Sequence, residues 1–265
     1  MSPLRRTLDR VYWWLCDRIT PGLVNSQHHY LRTLRRCLTP RTRWLDLGCG
    51  RRIVPDWLPR AAQQGATLVA SVRTAVGIDV DAQSLQDNTV LPARVRGDLH
   101  RLPFADASFD VVTANMVVEH LSDPMALVVE VQRVLAPGGA FIFHTPNLAH
   151  PPIMLASLLP QWLKNAAARV LENRPATDVF PTHYRLNRRR DIERVSAVAG
   201  LTVADVGLVD SSTVTAMLGP FAAIELLFIR LLRWRPLRGL RGNVIAVLKK
   251  PDVTTEAHPA LRKAA

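Results

Sequence analysis

The sequence predicts an α/β protein built on a doubly wound sheet of about seven strands, with helices ahead of it and a helical insertion before the last strand. Two observations carry this. From residue 43 onward, short apolar runs alternate with segments of helical spacing, the order expected of a sheet whose strands are joined by right-handed crossovers. The early strand segments also end in glycine or aspartate, residues suited to a sheet edge that receives a ligand.

Residues 4–38 read as two helical pieces broken at Thr20-Pro21-Gly22. The first carries Leu8, Val11, Tyr12, Leu15 and Ile19 at helical spacing, and the second Tyr30, Leu31 and Leu34. Arg43 to Leu47 is the first strand and residues 54–70 the helical crossover after it. Strands follow at Thr74 to Val80, Ala93 to Gly97, Phe109 to Ala114 and Ala140 to His144, with a helix at Pro124 to Leu135. A helix at 189–199 and strands at Leu201 to Val209 and Asn243 to Leu248 complete the pattern. These elements divide the chain into an N-terminal helical extension (1–40), a main domain (41–250) and a polar, disordered tail (251–265). Two apolar inserts, 151–163 and 212–241, interrupt the main domain. The second does not read as a membrane span. Gly219-Pro220 breaks it, Glu225 and Arg230 sit inside it, and the pieces are short.

With 265 residues, 48% hydrophobic and 21% charged, the chain has the composition of a globular protein with a sizeable core. Its formal net charge of +12 favours anionic surfaces, either nucleic acid or lipid headgroups. Cys16, Cys37 and Cys49 are odd in number and lack metal-ligand spacing, which points to a reducing compartment. The N-terminus shows no apolar h-region with a cleavage site, so a cytoplasmic location is expected.

The first strand runs through Trp44-Leu45-Asp46-Leu47 into Gly48-Cys49-Gly50, a turn that lets backbone approach a ligand closely. The second strand ends at Asp79, where a carboxylate can accept both hydroxyls of a ribose. The third ends in Gly97-Asp98-Leu99, where a carboxylate can accept from an exocyclic adenine amine. The fourth ends at Asn115 on the same edge. This is a Rossmann-like arrangement for a nucleotide-containing cofactor. A nicotinamide dinucleotide is disfavoured because Gly48-Cys49-Gly50-Arg51-Arg52-Ile53 lacks the later glycine of that fingerprint.

Together these pieces resemble the class I S-adenosylmethionine-dependent methyltransferases, most of all the type 11 group. The resemblance also rests on Leu102-Pro103-Phe104, Phe109-Asp110-Val111-Val112, Glu119-His120-Leu121-Ser122-Asp123-Pro124 and Arg133-Val134-Leu135-Ala136-Pro137-Gly138-Gly139, and covers roughly residues 43–147. It implies S-adenosylmethionine as cofactor. Asp46, Gly48 and Gly50 would cradle its amino-acid end, and Asp79 would hold the ribose. Asp98 and the Leu99 backbone would hold the adenine, with Asn115 and Met116 lining the methyl-transfer position. Related quinone O-methyltransferases carry a Glu-x-x-Glu-His set thought to hold a divalent metal. This chain has Met116-Val117-Val118-Glu119-His120, with a thioether where a carboxylate is needed, so no metal site is expected.

Glu119-His120 reads as a polar pair holding a bend, while His144 and His150 flank a loop near the expected acceptor. His183, in Thr182-His183-Tyr184-Arg185, is the candidate general base, since neutral imidazole can take a hydroxyl proton. The expected acceptor is small and amphipathic or lipid-linked, methylated at a hydroxyl oxygen. Apolar surface beside arginines in 212–241 suits contact with an anionic membrane at its inner face. Trp13 and Trp14 among arginines raise the same prospect for the first helix. The alternatives are an RNA methyltransferase, disfavoured because no RNA-binding platform is visible, and a non-catalytic membrane-associated scaffold.

Overall fold

The structure, a computed structural model, describes residues 3–160, 181–210 and 221–252. Two helices, α1 (Pro3–Ile19) and α2 (Ser26–Cys37), precede the sheet. Then come β1 (Arg43–Leu47), α3 (Ala61–Ala70), β2 (Thr74–Asp79), α4 (Ala82–Asp87), β3 (Ala93–Arg96) and β4 (Phe109–Asn115). A 3-10 turn (Val118–His120) leads to α5 (Pro124–Val134), β5 (Leu135–Pro146) and α6 (Pro151–Ser157). The remaining elements are α7 (Arg189–Val198), β6 (Thr202–Val209), α8 (Phe221–Leu232), a 3-10 turn (Arg235–Leu240) and β7 (Asn243–Lys249).

The seven strands lie in the order β3-β2-β1-β4-β5-β7-β6. The expected sheet is therefore present, with one refinement of direction: β7 runs antiparallel to both β5 and β6. Asn243, the first residue of β7, pairs with Pro146 and Val209, the last residues of β5 and β6, so β7 starts at the C-terminal edge of the sheet and runs back across it.

Alternation along the strands sorts two apolar layers. Leu45, Leu47, Val112, Phe141 and Phe143 face α5 and α7, which contribute Leu127, Val131, Ile192 and Val195. Trp44, Val111, Ile142 and Ile245 face the opposite side, against Tyr30, Leu31 and Leu34 of α2 and Leu68 of α3. Helices on both faces are what a central strand without polar alternation requires.

Several boundaries depart from the sequence reading. The crossover helix is shorter than expected: residues 54–60 form turns, and α3 starts only at Ala61. Pro55 and Pro59 account for this, since each removes a helical donor and restrains the residue before it. In the other direction, β5 runs past His144 to Pro146, so Thr145 and Pro146, expected in a loop, belong to the strand and His144 is fully buried within it. Of the inserts, α6 and residues to 160 represent the first and α8 onward the second; residues 161–163 and 212–220 lie outside the described residues, as does the tail from 253. Among the described residues no helix is long and apolar enough to cross a membrane.

Gly77 on β2 sits where the first turn presses on the sheet. A Cβ there would lie 2.4 Å from Leu91 Cδ1 and 2.6 Å from Cys49 Sγ, both buried side chains with little room to move. Gly77→Ala should therefore cost about 1–3 kcal/mol of stability by overpacking. Chemical denaturation reads this directly, and an unchanged midpoint would show that the packing is looser than described.

Candidate functional site

The turn after β1 is held in place before any ligand arrives. Gly48 (φ +59°) and Gly50 (φ +49°) both occupy the left-handed region, which glycine enters without steric cost. At Gly48 a Cβ would also lie 2.5 Å from Val117 Cγ2, whereas at Gly50 nothing stands within 4 Å. The turn is thus closed on its β4 side and open above Gly50. From below, the fully buried Asn88 donates through Nδ2 to Gly50 O (3.0 Å), and its Oδ1 accepts from the Val90 and Leu91 amides. From the side, Asp79 Oδ2 accepts from Gly50 N (2.8 Å) and Oδ1 from Asp81 N (2.9 Å).

Asp46 is buried beneath the turn. Thr113 Oγ1 donates to its Oδ1 at 2.6 Å and accepts from Trp44 Nε1 at 2.8 Å. Burial pushes the Asp46 carboxyl up to about 7; the Thr113 hydroxyl opposes this and the charge of Asp79 adds to it. By the sign of that shift, Asp46 favours the fold below its unfolded value near 4 and loses that contribution as pH rises through 7. A cation placed above it reverses the preference. Cys49, between the two glycines, is buried, and desolvation raises its thiol.

The end of β4 is fixed by a second network. Asn115 Oδ1 accepts from Gln27 Nε2 (3.0 Å) and His144 Nδ1 (2.9 Å), and Asn115 Nδ2 donates to Gln27 Oε1 (3.1 Å). Gln27 lies in the first turn of α2, whose N-cap Asn25 accepts from the Gln27 amide. The α2 helix is thereby tied to the sheet edge. Tyr30, from the same helix, stacks on His144 with ring centroids 5.7 Å apart. Burial drives the His144 pKa down to about 3, so the ring is neutral and, given its acceptor partner, protonated on Nδ1. Next along, Met116 takes a positive φ (+57°), unusual for a non-glycine residue, and its amide donates to His144 O at 2.8 Å.

Of the residues singled out by sequence, Asp46, Gly48, Gly50, Asp79, Asn115 and Met116 meet at the C-terminal edges of β1, β2 and β4. Asp98 and Leu99 follow β3 at the outer end of that edge. Asp98 is exposed and held below the usual carboxylate range by the backbone amide and ring of His100, while Leu99 is buried. His183 stands apart from this group. Its backbone amide donates to Glu119 O (2.7 Å), which puts it beside the 3-10 turn after Met116, and its ring is exposed. Glu119 and His120 hold that loop: Glu119 Oε2 accepts from Thr145 Oγ1, and His120 Nδ1 pairs with Pro181 O. Among the described residues no group of three His, Cys, Asp or Glu is arranged to hold a metal ion. The sequence pattern gives no role to Asn88, Gln27 or Thr113 and marks Tyr30 only as part of an apolar helix face, because their roles come from contacts remote in the chain.

A left-handed glycine turn open above Gly50, a ribose-type carboxylate against it and a buried carboxyl poised to face a cation suit a nucleoside that carries an amino-acid cation. The family model described as "Methyltransferase domain" matches residues 45–143. Residues 45–143 thus match a methyltransferase domain of the class I S-adenosylmethionine-dependent type. The chain is 35% identical over 142 residues to the "Probable S-adenosylmethionine-dependent methyltransferase" of Mycolicibacterium smegmatis, covering 49% of this chain and 50% of that protein. It is 29% identical over 139 residues to the ubiquinone biosynthesis O-methyltransferase of Psychrobacter arcticus, 51% of each chain. The chain thus spans about half the length of these curated relatives. Among solved structures, a SAM-dependent methyltransferase from Methanosarcina mazei superposes with a TM-score of 0.52 at 13% identity, covering 83% of this chain and 97% of that one, and so shares the fold. The cofactor of the methyltransferase domain is S-adenosylmethionine.

Calorimetry with S-adenosylhomocysteine tests the assignment of Asp46. If the ligand's ammonium sits over a carboxyl that titrates near 7, affinity should be up to about tenfold higher at pH 8 than at pH 6. Asp46→Asn should abolish that dependence. Equal affinity at both pH values in the wild-type chain would place the ammonium elsewhere.

Proposed function

We propose that this chain transfers a methyl group from S-adenosylmethionine to a hydroxyl oxygen of a small amphipathic or lipid-linked acceptor. The observation that carries the acceptor class is the position of α6 and α8. Both lie at the C-terminal edge beside β5 and β7, where His150 Nδ1 pairs with Leu240 O and the His150 ring contacts Phe228 at 5.7 Å. Their solvent-facing residues include Met154, Leu155, Leu158, Ile224 and Leu227. A recess of about 390 Å³ lies at the same edge, lined by Asn147, Ala149, Leu208 and Gly239 together with Arg188 to Arg190 and Glu193. The exposed apolar residues of α6 and α8 beside a charged recess suit an acceptor that has an apolar body and a polar end.

The cofactor supplies an electrophilic methyl on a sulfonium, and the protein's task is to align a nucleophile with it. Asn115, immobilised by Gln27 and His144, and the strained Met116 backbone fix the wall of that position. In this reading His183 removes the acceptor hydroxyl proton as the oxygen–carbon bond forms. Its loop is stitched to the transfer position: Asn187 Nδ2 donates to Thr145 Oγ1 (2.7 Å) and Pro146 O (2.8 Å), and Arg185 Nη1 to Ser122 O. The ubiquinone-biosynthesis relative supports an oxygen acceptor on a lipid-like molecule. Three unpaired cysteines agree with work in the cytoplasm.

Transfer of labelled methyl from S-adenosylmethionine into lipid, glycan and RNA extracts tests the acceptor class. Label should enter a lipid-soluble fraction, and incorporation into RNA alone would overturn the reading. With the acceptor in hand, His183→Ala should lower turnover at least about tenfold while S-adenosylhomocysteine affinity stays the same. Unchanged turnover would remove His183 as the base.

A further inference from the structure

The α1 and α8 helices pack side by side, burying Tyr12, Cys16, Ala222 and Leu226 between them. The far ends are tied: Arg230 Nη1 donates to Ile19 O (3.1 Å) and Arg233 Nη1 to Pro21 O (2.9 Å). Such a pair buries one side of each helix, and the other side should then be polar. It is not. Trp13, Trp14, Ile224, Leu227 and Leu231 are each more than half exposed, as is Trp234 just after α8. On α8 the exposed aliphatics recur at three and four residues, which is one helical stripe. Exposed apolar residues gathered on adjoining helices mark an interaction surface, not chance.

We infer that the exposed sides of α1 and α8 form a docking face for an anionic lipid bilayer. The arginines around the apolar residues select this occupant. The Arg18 guanidinium lies over the Trp14 ring at 5.6 Å. Arg10 sits on the exposed side of α1, and Arg235 and Arg238 follow Trp234. Among the residues whose side chains are described, the acids of the same region are Asp17, on the exposed side of α1, and Glu225, so cations outnumber them there, as they do across a chain of net charge +12. Tryptophan rings settle at headgroup level, aliphatic side chains enter the acyl boundary, and arginines meet lipid phosphates. A second copy fits less well, because pairing this face with itself sets arginines against arginines. A nucleic acid has no use for the Ile224, Leu227 and Leu231 stripe.

The placement also has a consequence for the domain. The α8 helix adjoins the C-terminal edge of β5 and β7, so a bilayer on this face lies beside the cofactor edge. The inference concerns binding alone and does not depend on the methyl-transfer reading.

The full chain should sediment with phosphatidylcholine vesicles containing about a third phosphatidylglycerol at about 0.1 M salt. Two variant pairs, Trp13→Ala with Trp14→Ala and Leu227→Ser with Leu231→Ser, should each weaken binding at least about tenfold. Their S-adenosylhomocysteine affinity should match wild type, which shows that each remains folded. Millimolar inorganic phosphate should fail to compete, as expected of a surface and not a phosphate pocket. Absence of sedimentation, or binding that neither pair weakens, would overturn the inference. So would equal binding to neutral vesicles, competition by phosphate, or a dimer in analytical ultracentrifugation that the tryptophan pair dissolves.

Discussion

Asn88 donates to the Gly50 carbonyl from beneath, and this hydrogen bond fixes the glycine turn at the C-terminal end of β1. With Asn88 fully buried, its amide has no alternative partner in water, so releasing the turn would leave buried polar groups unsatisfied. Asp79 grips the same residue through its amide. Between these two contacts the backbone of Gly48 and Gly50 is committed to left-handed geometry in advance, and the domain does not have to order it on binding. The neighbouring packing depends on the same position. Val117 closes on Gly48 and Cys49 on Gly77, so the turn is locked to β2 and β4 by side chains that leave no room for a Cβ.

A second constraint follows from chain direction. β7 starts at the C-terminal edge, where Asn243 pairs with Pro146 and Val209, and so runs against its neighbours, while α8 sits beside the same edge with its Phe228 ring against His150. Asp210, next to the end of β6, helps to hold that arrangement: Arg233 Nε reaches its Oδ2 at 3.0 Å and Arg241 Nε its Oδ1 at 3.4 Å. Asn147 Nδ2 donates to Gly239 O and Arg241 O, joining the end of β5 to the same segment. The apolar elements are therefore anchored to the C-terminal edge of the sheet and not loosely appended to it.

Much of this was readable in the residues. Strands β1, β2 and β4 announce themselves because buried parallel strands are continuous apolar runs, and their ends at Gly48, Asp79 and Asn115 lie where small or polar residues break those runs. What escaped has a common physical cause: it depends on partners remote in sequence. Nothing near Gln27 shows that its amide will pair with Asn115 across 88 residues, nor does Asn88 advertise the turn it supports. The apolar run from Ala140 ends in the polar His144, so the sequence stops the strand there. In the fold β7 pairs with β5 as far as Pro146, and Asn115 supplies the partner that lets the imidazole stay buried. The reversal of β7 is equally invisible locally, since a strand's residues do not encode its direction. Pro55 and Pro59 are local signals by contrast, and they delay the start of the crossover helix to Ala61.

The central claim is that the edge formed by Gly48, Gly50, Asp46 and Asp79 is the cofactor cradle. A crystal structure of the chain soaked with S-adenosylhomocysteine tests it most directly. The account predicts the ribose hydroxyls on Asp79, the adenine toward Asp98 and Leu99, and the amino-acid end over Gly48 and Asp46. Ligand density bound away from this edge, with the Gly50 face left to solvent, would contradict it.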